Sequence, residues 1–361
     1  MVSEGRVMSS LGVVVIGRNE GDRLRRCLAS LEPEHVPIVY VDSGSTDGSV
    51  AMARGRGVEV VELDPARPFS AARARNEGFA RCKRLDPGLR FVMFVDGDCE
   101  VVPGWLALAR KELEARPELA VVCGRRRELH PERSVYNRLA DLEWDTPIGL
   151  AQSCGGDALF RVADFDSVGG FDESAKAGEE PELCQRLRQN GRLVARLDAE
   201  MTRHDLNMTR FAEWWRRQLR VGYHGTDIES RFKPSREAGA ARQPTLFGAS
   251  LRRARLWGIG WPLLVATSAL VAWRAAGIGP SLVCVALGLG LLVAQAGRLA
   301  WRVRGRVGRP GDAIVHGGLM VLEKWANLAG QVQYLRDRSR GRGAKLIEYK
   351  TAQAAPIHRA G

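Results

Sequence analysis

The chain has 361 residues, of which 45% are hydrophobic, and a formal net charge of +12. This length allows one large domain and an appendage. The charge is unevenly distributed, since residues 1–250 carry a net charge of −1 and residues 251–361 carry +13. Because the basic excess is confined to the last third, it does not indicate binding of nucleic acid by the larger part of the chain, and we expect no nucleic-acid partner.

The seven cysteines are odd in number and form no Cys-x-x-Cys pair. This pattern predicts a reducing compartment and no zinc site. Residues 1–10 are polar and lack an apolar core, so we expect no signal peptide.

Apolar runs and segments of helical spacing alternate over residues 11–95. The runs predict strands at residues 11–16, 37–41, 58–61 and 90–95. The spacing predicts helices at residues 22–31 and 70–85, and one ending near residue 54 that Ser45, Thr46 or Asp47 caps. The alternation predicts an α/β fold with a mostly parallel sheet covered by helices on both faces. Ligands of such sheets bind at the carboxyl ends of the strands.

Polar clusters follow three of these strands, at residues 18–20, 42–47 and 96–98. Asp96 and Asp98 are two positions apart, and alternate residues of an extended segment point the same way. Their carboxylates therefore suit a hard divalent cation, although each cluster taken alone is also typical of an ordinary turn. There is no Gly-x-Gly-x-x-Gly or Gly-x-x-x-x-Gly-Lys-Ser/Thr motif, which argues against a dinucleotide oxidoreductase or a P-loop protein.

Residues 256–273 and 275–297 contain no charged side chain. Each run is about long enough to cross a membrane once, and the arginines on the outer flanks favour a cytoplasmic location for both ends. We therefore predict a transmembrane hairpin, against the alternative of two buried helices of a soluble domain. Residues 312–335 predict an amphipathic helix that lies on the membrane or packs on the larger domain. The basic tail from Arg336 is expected to contact anionic lipid headgroups.

Five segments carry a family resemblance. They are residues 13–20, 41–49, 96–98, 169–173 and 178–184. In this order and spacing they resemble a membrane-anchored, bacterial-type family 2 glycosyltransferase of the GT-A fold, over about residues 11–225. The resemblance implies transfer of a sugar from a nucleotide-sugar donor with inversion at the anomeric carbon. It also implies a divalent metal, Mg²⁺ or Mn²⁺, that assists departure of the nucleoside diphosphate.

The resemblance further implies roles for individual residues. Asp98 is the expected metal ligand, His204 completes the metal site, and Asp96 serves the ribose or reaches the metal through water. The residues expected to contact the nucleotide are Asn19, Glu20, Asp42, Asp47, Arg73 and Asn76. Helix capping is the alternative for Asp47, a solvated surface charge for Arg73, and a structural role for His204.

The acceptor hydroxyl must lose a proton as it attacks, which calls for a carboxylate base. The resemblance places this base at Glu180, although the family usually has Asp there. Glu179 and Glu182 are the alternatives for the base. If they are not the base, their negative charges stabilise the start of the helix. Residues 154–157 are expected near the donor sugar or the acceptor, with the glycines allowing close approach.

The processive enzymes of the family have Gln-x-x-Arg-Trp where this chain has Arg217-Gln218-Leu219-Arg220-Val221. We therefore expect addition of one sugar to a lipid-linked or cell-surface glycan precursor. The expected domains are a catalytic domain at 1–225, a linker at 226–255, two transmembrane helices at 256–297 and a basic cytoplasmic segment at 298–361. The expected location is the inner (cell) membrane, multi-pass, with the catalytic domain in the cytoplasm. The alternative function is a catalytically inactive membrane scaffold that keeps the fold.

Overall fold

The computed structural model describes residues 10–232 and 246–342. These residues form two compact units. The first contains residues 10–131 and 143–207, and the second contains residues 132–142, 208–232 and 246–342. Parts of three predictions lie outside the described residues: the polar start at 1–9, residues 233–245 of the linker, and the tail beyond 342.

The strands all belong to the first unit. They are β1 (Leu11–Gly17), β2 (Ile38–Asp42), β3 (Glu59–Glu62), β4 (Phe91–Asp96), β5 (Cys99–Val101), β6 (Leu119–Glu128), β7 (Gly149–Leu150), β8 (Ala158–Arg161) and β9 (Leu193–His204). The helices of both units are α1 (Asp22–Leu31), α2 (Ser49–Gly55), α3 (Ala71–Leu85), α4 (Trp105–Ala115), α5 (Val135–Glu143), α6 (Val162–Ser167), α7 (Glu179–Gln189), α8 (Phe211–Arg231), α9 (Gly248–Arg255), α10 (Trp261–Ala276), α11 (Ile278–Val303) and α12 (Pro310–Ser339).

The strands form one sheet in the order β3-β2-β1-β4-β8-β6-β9-β5, with β7 beside β9. The part β3-β2-β1-β4 is parallel, as the alternating pattern predicts. Beyond β4 the sheet is mixed, because β8 runs antiparallel to both of its neighbours and β9 is parallel to β6 but antiparallel to β5. The predicted α/β fold with helices around one sheet is present, with less parallel pairing than expected.

The core of this unit lies around the central strands. Val13, Val14 and Val15 of β1 are fully buried, as are the apolar residues of β4, because helices cover both faces of a parallel sheet. Phe171 packs edge-on against Phe94 at 5.2 Å between ring centroids. This contact anchors the loop that leads into α7 over the sheet core.

The second unit, within the described residues, is helical. Two of its helical segments, Gly248–Ala276 and Ile278–Val303, are long and apolar enough to cross a membrane. Their side chains are largely exposed, with Leu287 at 70% and Val293 at 72%, which is unusual for apolar surface in water. Gly277, with φ of 84°, separates the two segments.

Two boundaries of the second unit differ from the predicted ones. The predicted linker begins inside α8, which continues to Arg231 because Tyr223 and Ile228 are buried on its apolar face. The linker's last residues form α9. The predicted amphipathic helix also extends further at both ends, as α12. The polar composition of residues 226–232 concealed this continuation of the helix.

Candidate functional site

Three strand ends of the parallel part, those of β1, β2 and β4, meet at one edge of the sheet. Gly17 pairs with Asp42, and Ile16 pairs with Asp96. Asn19, just beyond β1, accepts a hydrogen bond at Oδ1 from the backbone N–H of Thr46 at 2.8 Å. The predicted polar clusters therefore lie together at this edge, as the parallel register requires.

Asp96 lies at the end of β4 in a network of charges. Its Oδ1 is 2.7 Å from a nitrogen of Arg75, and its Oδ2 is 3.6 Å from one of Arg126. Arg126 also pairs with the fully buried Asp157 at 2.7 Å. A buried charge is tolerated only when it is paired. Because the two arginines supply the opposite charge, these acids can lie close together without all being protonated.

Gly156 makes this close packing possible. A Cβ atom at this position would lie 2.7 Å from the Asp96 carboxylate and 2.9 Å from the Arg126 guanidinium, and both distances are too short for real contacts. The glycines of residues 154–157 were predicted to allow the approach of a substrate. At Gly156, the group that approaches is the Asp96–Arg126 pair.

The side chain of Asp98 lies close to that of His204, which ends the neighbouring strand β9. The Nε2 atom of His204 is 3.2 Å from Oδ2 of Asp98, and both side chains are buried. Antiparallel pairing of β5 with β9 sets Cys99 opposite His204, which places the preceding Asp98 within reach of the imidazole. The Nδ1 atom of His204 is buried and has no hydrogen-bond partner among the described residues.

The Asp98–His204 pair fits a divalent cation by the chemistry of its donors. A carboxylate oxygen suits Mg²⁺ and Mn²⁺, and an imidazole nitrogen is the softer donor, so the pair suits Mn²⁺ better. Cys99 completes a group whose candidate ligand atoms all lie within 4.8 Å of one another, but a thiol is a poor ligand for such ions. Two protein ligands leave coordination positions for substrate phosphates, as is usual for sites of this kind.

Glu180 differs from the two acids beside it on α7. Glu179 pairs with Arg75 at 2.5 Å, and Glu182 pairs with Arg186 at 2.6 Å. Glu180 forms no ion pair with any residue that the structure describes. Desolvation of this half-buried carboxylate, and then the charge of Glu179, raise the pKa of Glu180 to about 8 against the opposing effect of Arg75.

Residues 12–161 match the family model described as glycosyl transferase family 2. The match covers 150 of the 361 residues. Its fold is similar to that of a mannosyltransferase from Pyrobaculum calidifontis, solved in complex with GDP-Man and Mn²⁺, with a TM-score of 0.58. The two chains are 19% identical, and the similarity covers 91% of this chain and 88% of that one. At this identity, the similarity supports the GT-A fold.

Two curated proteins are similar in sequence to this chain. It is 26% identical over 310 residues to the pre-mycofactocin glycosyltransferase of Mycobacterium tuberculosis, which covers 80% of this chain and 58% of the relative. It is 30% identical over 144 residues to a TPR repeat-containing protein of Synechococcus elongatus, which covers 40% of this chain and 34% of the relative. The chain thus spans about half the length of the first relative, and less of the second.

Several of the residues predicted to contact a nucleotide have intramolecular partners. Asp42 is buried and accepts hydrogen bonds from the backbone N–H groups of Gly44 and Ser45 at 2.9 and 2.7 Å. Asp47 accepts from the backbone N–H and hydroxyl of Ser49, the first residue of α2, in an Asx-type turn. The N-cap residue of α2 is Gly48, so the predicted cap at Ser45, Thr46 or Asp47 is wrong. Glu20 pairs with Arg23 at 2.7 Å. Their contacts to a nucleotide stay predictions.

Arg73 and Asn76 hold loops beside the site. Arg73 is buried, not a solvated surface charge, and it donates to the carbonyl oxygens of Asp64 and Arg67. Asn76 donates to the carbonyl of Phe171 at 2.8 Å and accepts from the Phe171 backbone N–H at 3.0 Å. Among the described residues these two side chains therefore support the site through loops, and a direct nucleotide contact stays a prediction.

Two arginines that pair with the acids of the site, Arg75 and Arg126, were not predicted from the sequence. Arg75 is two positions from Arg73, and helical spacing alone does not distinguish them. Arg126 is the middle residue of Arg125-Arg126-Arg127 at the end of β6. Side chains of a strand alternate between the two faces, so this one arginine points the opposite way from its neighbours, which was the available signal.

Proposed function

We propose that this protein is a metal-dependent, inverting glycosyltransferase that adds one sugar from a nucleotide-sugar donor to a membrane-associated acceptor. The observation that carries the proposal is the combination of a buried Asp98–His204 pair with a carboxylate, Glu180, whose pKa is raised to about 8. Arg126 connects the two, because its charge interacts with Asp98 and with Glu180. The name of the M. tuberculosis relative supports the same class of reaction.

In this proposal, Asp98 and His204 hold the cation. A bound divalent cation stabilises the negative charge that develops on the diphosphate leaving group. Asp96, fixed by Arg75, serves the ribose. Asn19 links the loops after β1 and β2 through the backbone N–H of Thr46, and the acids at residues 20, 42 and 47 in these loops shape the nucleotide side of the site.

Glu180 is the proposed base. A base works best when its pKa is near the operating pH, and a carboxylate with a pKa of about 8 is a far stronger base than an ordinary glutamate. Glu180 Oε accepts the proton of the acceptor hydroxyl as the oxygen attacks the anomeric carbon from the face opposite the diphosphate. Glu179 and Glu182 are already committed to arginines, which favours Glu180 over both.

The membrane part of the proposal rests on the two apolar segments. We propose that Gly248–Ala276 and Ile278–Val303 form a hairpin in the inner (cell) membrane, with the domain at about 1–225 in the cytoplasm. Arginines flank the outer ends of both segments, as the positive-inside tendency requires. An enzyme held at this surface is suited to a lipid-linked or cell-surface glycan precursor as acceptor.

A thermal-shift panel tests donor and metal together. UDP-, GDP- and dTDP-sugars are added to the full chain with and without Mn²⁺. One donor should raise the Tm only with Mn²⁺, and Asp98→Asn should abolish that shift. Asp198→Asn is the matched control, because Asp198 lies on the same strand as His204 but is exposed. An unchanged shift in Asp98→Asn would overturn the metal site, and no shift with any donor would favour the inactive scaffold.

Cysteine labelling tests the hairpin. In a Cys284→Ala background, Ala276→Cys should react with a membrane-impermeant maleimide added outside intact spheroplasts. Arg306→Cys should react only after permeabilisation, and the remaining cysteines are buried. Labelling of both positions from the same side would contradict the proposed topology.

A further inference from the structure

A cavity of about 440 Å³ lies within the second unit, and its lining is basic and apolar. Four cationic side chains contribute to it: Arg253 of α9, Arg298 and Arg302 of α11, and Lys324 of α12. Among the residues that the structure describes, no aspartate or glutamate lines it. Four cations around one cavity repel each other, so the arrangement favours an anionic occupant.

The cations have few partners of their own. The side chains of Arg253 and Arg302 form no hydrogen bond or ion pair with any other described residue. Arg298 donates from Nε to the side chain of Gln295 at 3.1 Å, a neutral partner. Only Lys324 has an acid nearby, Glu323 at 3.0 Å. Most of the positive charge around the cavity is therefore not neutralised by described side chains.

The rest of the lining is apolar and aromatic. Leu292 and Leu299 lie on the same face of α11 as the two arginines, and Trp257 and Trp325 lie across from them on the other segments. A ligand that fills such a cavity needs a charged group and an apolar part. A small water-soluble anion meets only the first need.

Two close contacts between helical segments hold the segments around the cavity in place. A Cβ at Gly258 would lie 2.6 Å from Leu328, and one at Gly317 would overlap the carbonyl oxygen of Ala296. These glycines let α12 approach the π-helical turn at Leu256–Gly260 and α11 closely.

The cavity lies at one end of both apolar segments. Arg253 is near the start of Gly248–Ala276, and Arg302 is near the end of Ile278–Val303. In an antiparallel hairpin these ends share a membrane surface, and tryptophans favour that level. We propose that the cavity binds the phosphate group of a membrane lipid, with Arg298 and Arg302 on the phosphate and the lipid chains along Leu292 and Leu299. Basic pockets between helices on the cytoplasmic side are known to hold anionic headgroups.

The test compares two pairs of arginines on the detergent-solubilised full chain. Arg298→Gln with Arg302→Gln removes two charges from the cavity. Arg304→Gln with Arg306→Gln removes two charges next to it in sequence, at residues that do not line the cavity. Phosphatidylglycerol and phosphatidylcholine are titrated into each protein. Binding is followed by the change in Tm and by tryptophan fluorescence.

We expect phosphatidylglycerol to bind and phosphatidylcholine to bind much more weakly. The cavity pair should weaken phosphatidylglycerol binding roughly 30-fold, since one basic residue near an anionic lipid changes binding by about fivefold, and the control pair should change it less than about threefold. Equal losses of phosphatidylglycerol binding in the two double variants would show that only overall charge matters, and this would overturn the proposal. No loss of binding in either variant would also overturn it.

Two further arms identify the source of the phosphate. Farnesyl phosphate that displaces phosphatidylglycerol would assign the cavity to an isoprenoid lipid phosphate, and failure to displace it would assign the cavity to a bilayer phospholipid. Inorganic phosphate that reproduces the full Tm shift would show that no lipid is needed and would overturn the proposal. Nucleotide-sugar binding is independent of all these readouts, so failure of the proposed enzymatic function would leave this test intact.

Discussion

The carboxylate edge of the first unit and the basic cavity of the second unit handle buried charge in opposite ways. At the edge, Asp96, Asp157 and Glu179 are paired in advance by Arg75 and Arg126. In the cavity, four cations face one another with a single nearby acid. The charges at the edge are already paired without a ligand, whereas the positive charges of the cavity need an anionic ligand to neutralise them.

This difference explains why net charge was a poor guide to function. The positive charge resides in residues 251–361, which carry +13, while the site proposed for chemistry is rich in acids. A cation at Asp98 and His204 would complete the neutralisation of the edge, as an anionic lipid would in the cavity. The following variants test how firmly the edge is fixed and how closely the second unit is packed.

The largest expected effect concerns the base. Glu180→Gln should lower kcat by about 10²- to 10⁴-fold, which is the usual contribution of a positioned base, and should leave donor binding intact. Turnover is measured as release of nucleoside diphosphate in membranes that support the wild-type reaction. Glu182→Gln is the neighbouring control and should retain most of the activity. Wild-type turnover by Glu180→Gln would place the base elsewhere.

Removal of Arg75 should produce the largest loss of stability. Arg75→Met leaves Asp96 and Glu179 without their partner, and the loss of one member of a buried ion pair costs about 3–5 kcal/mol. Arg54→Met removes an arginine from an exposed pair with Glu62, for which at most about 1 kcal/mol is expected. Thermal denaturation of the two variants gives the comparison. A similar Tm for both would mean that the edge does not depend on Arg75.

Two adjacent glycines of α12 test the packing of the second unit. Gly317→Ala should destabilise by about 1–3 kcal/mol, because its Cβ would overlap the Ala296 carbonyl. Gly318→Ala meets nothing within 4 Å and should stabilise by up to about 1 kcal/mol, since alanine favours a helix. Opposite signs in the Tm of the two variants are expected. Destabilisation by both would show that α12 does not approach α11 this closely.

The last prediction concerns the pH dependence of stability. The raised pKa of Glu180 means that the folded protein holds a proton that the unfolded chain releases near its ordinary pKa. The contribution of Glu180 to stability should therefore fall as the pH rises towards about 8. Relative to Glu180→Gln, the wild-type Tm should be lower at pH 9 and nearly equal at pH 5. A difference that does not change with pH would argue against the raised pKa.

Local patterns predicted much of the first unit. The segments predicted as β1 to β4 and α1 to α3 match the observed elements to within a few residues, because buried parallel strands and amphipathic helices have distinct periodicities. Only tertiary pairing revealed that β8 and β9 make the sheet mixed. The sequence pattern of a short buried strand is the same for both directions, so it does not report the direction of its neighbours.

The acids of the site could be found from the sequence because they follow strands whose ends must meet. Asp96, Asp98 and the cluster at 42–47 are examples. The partners of these acids could not be found, since Arg75 and Arg126 come from α3 and β6 and reach Asp96 only through the packing of the sheet. The same holds for the basic cavity, whose arginines looked like ordinary flanks of a membrane segment. Sequence periodicity determines which residues are buried or at a strand end, and long-range packing decides which charges meet.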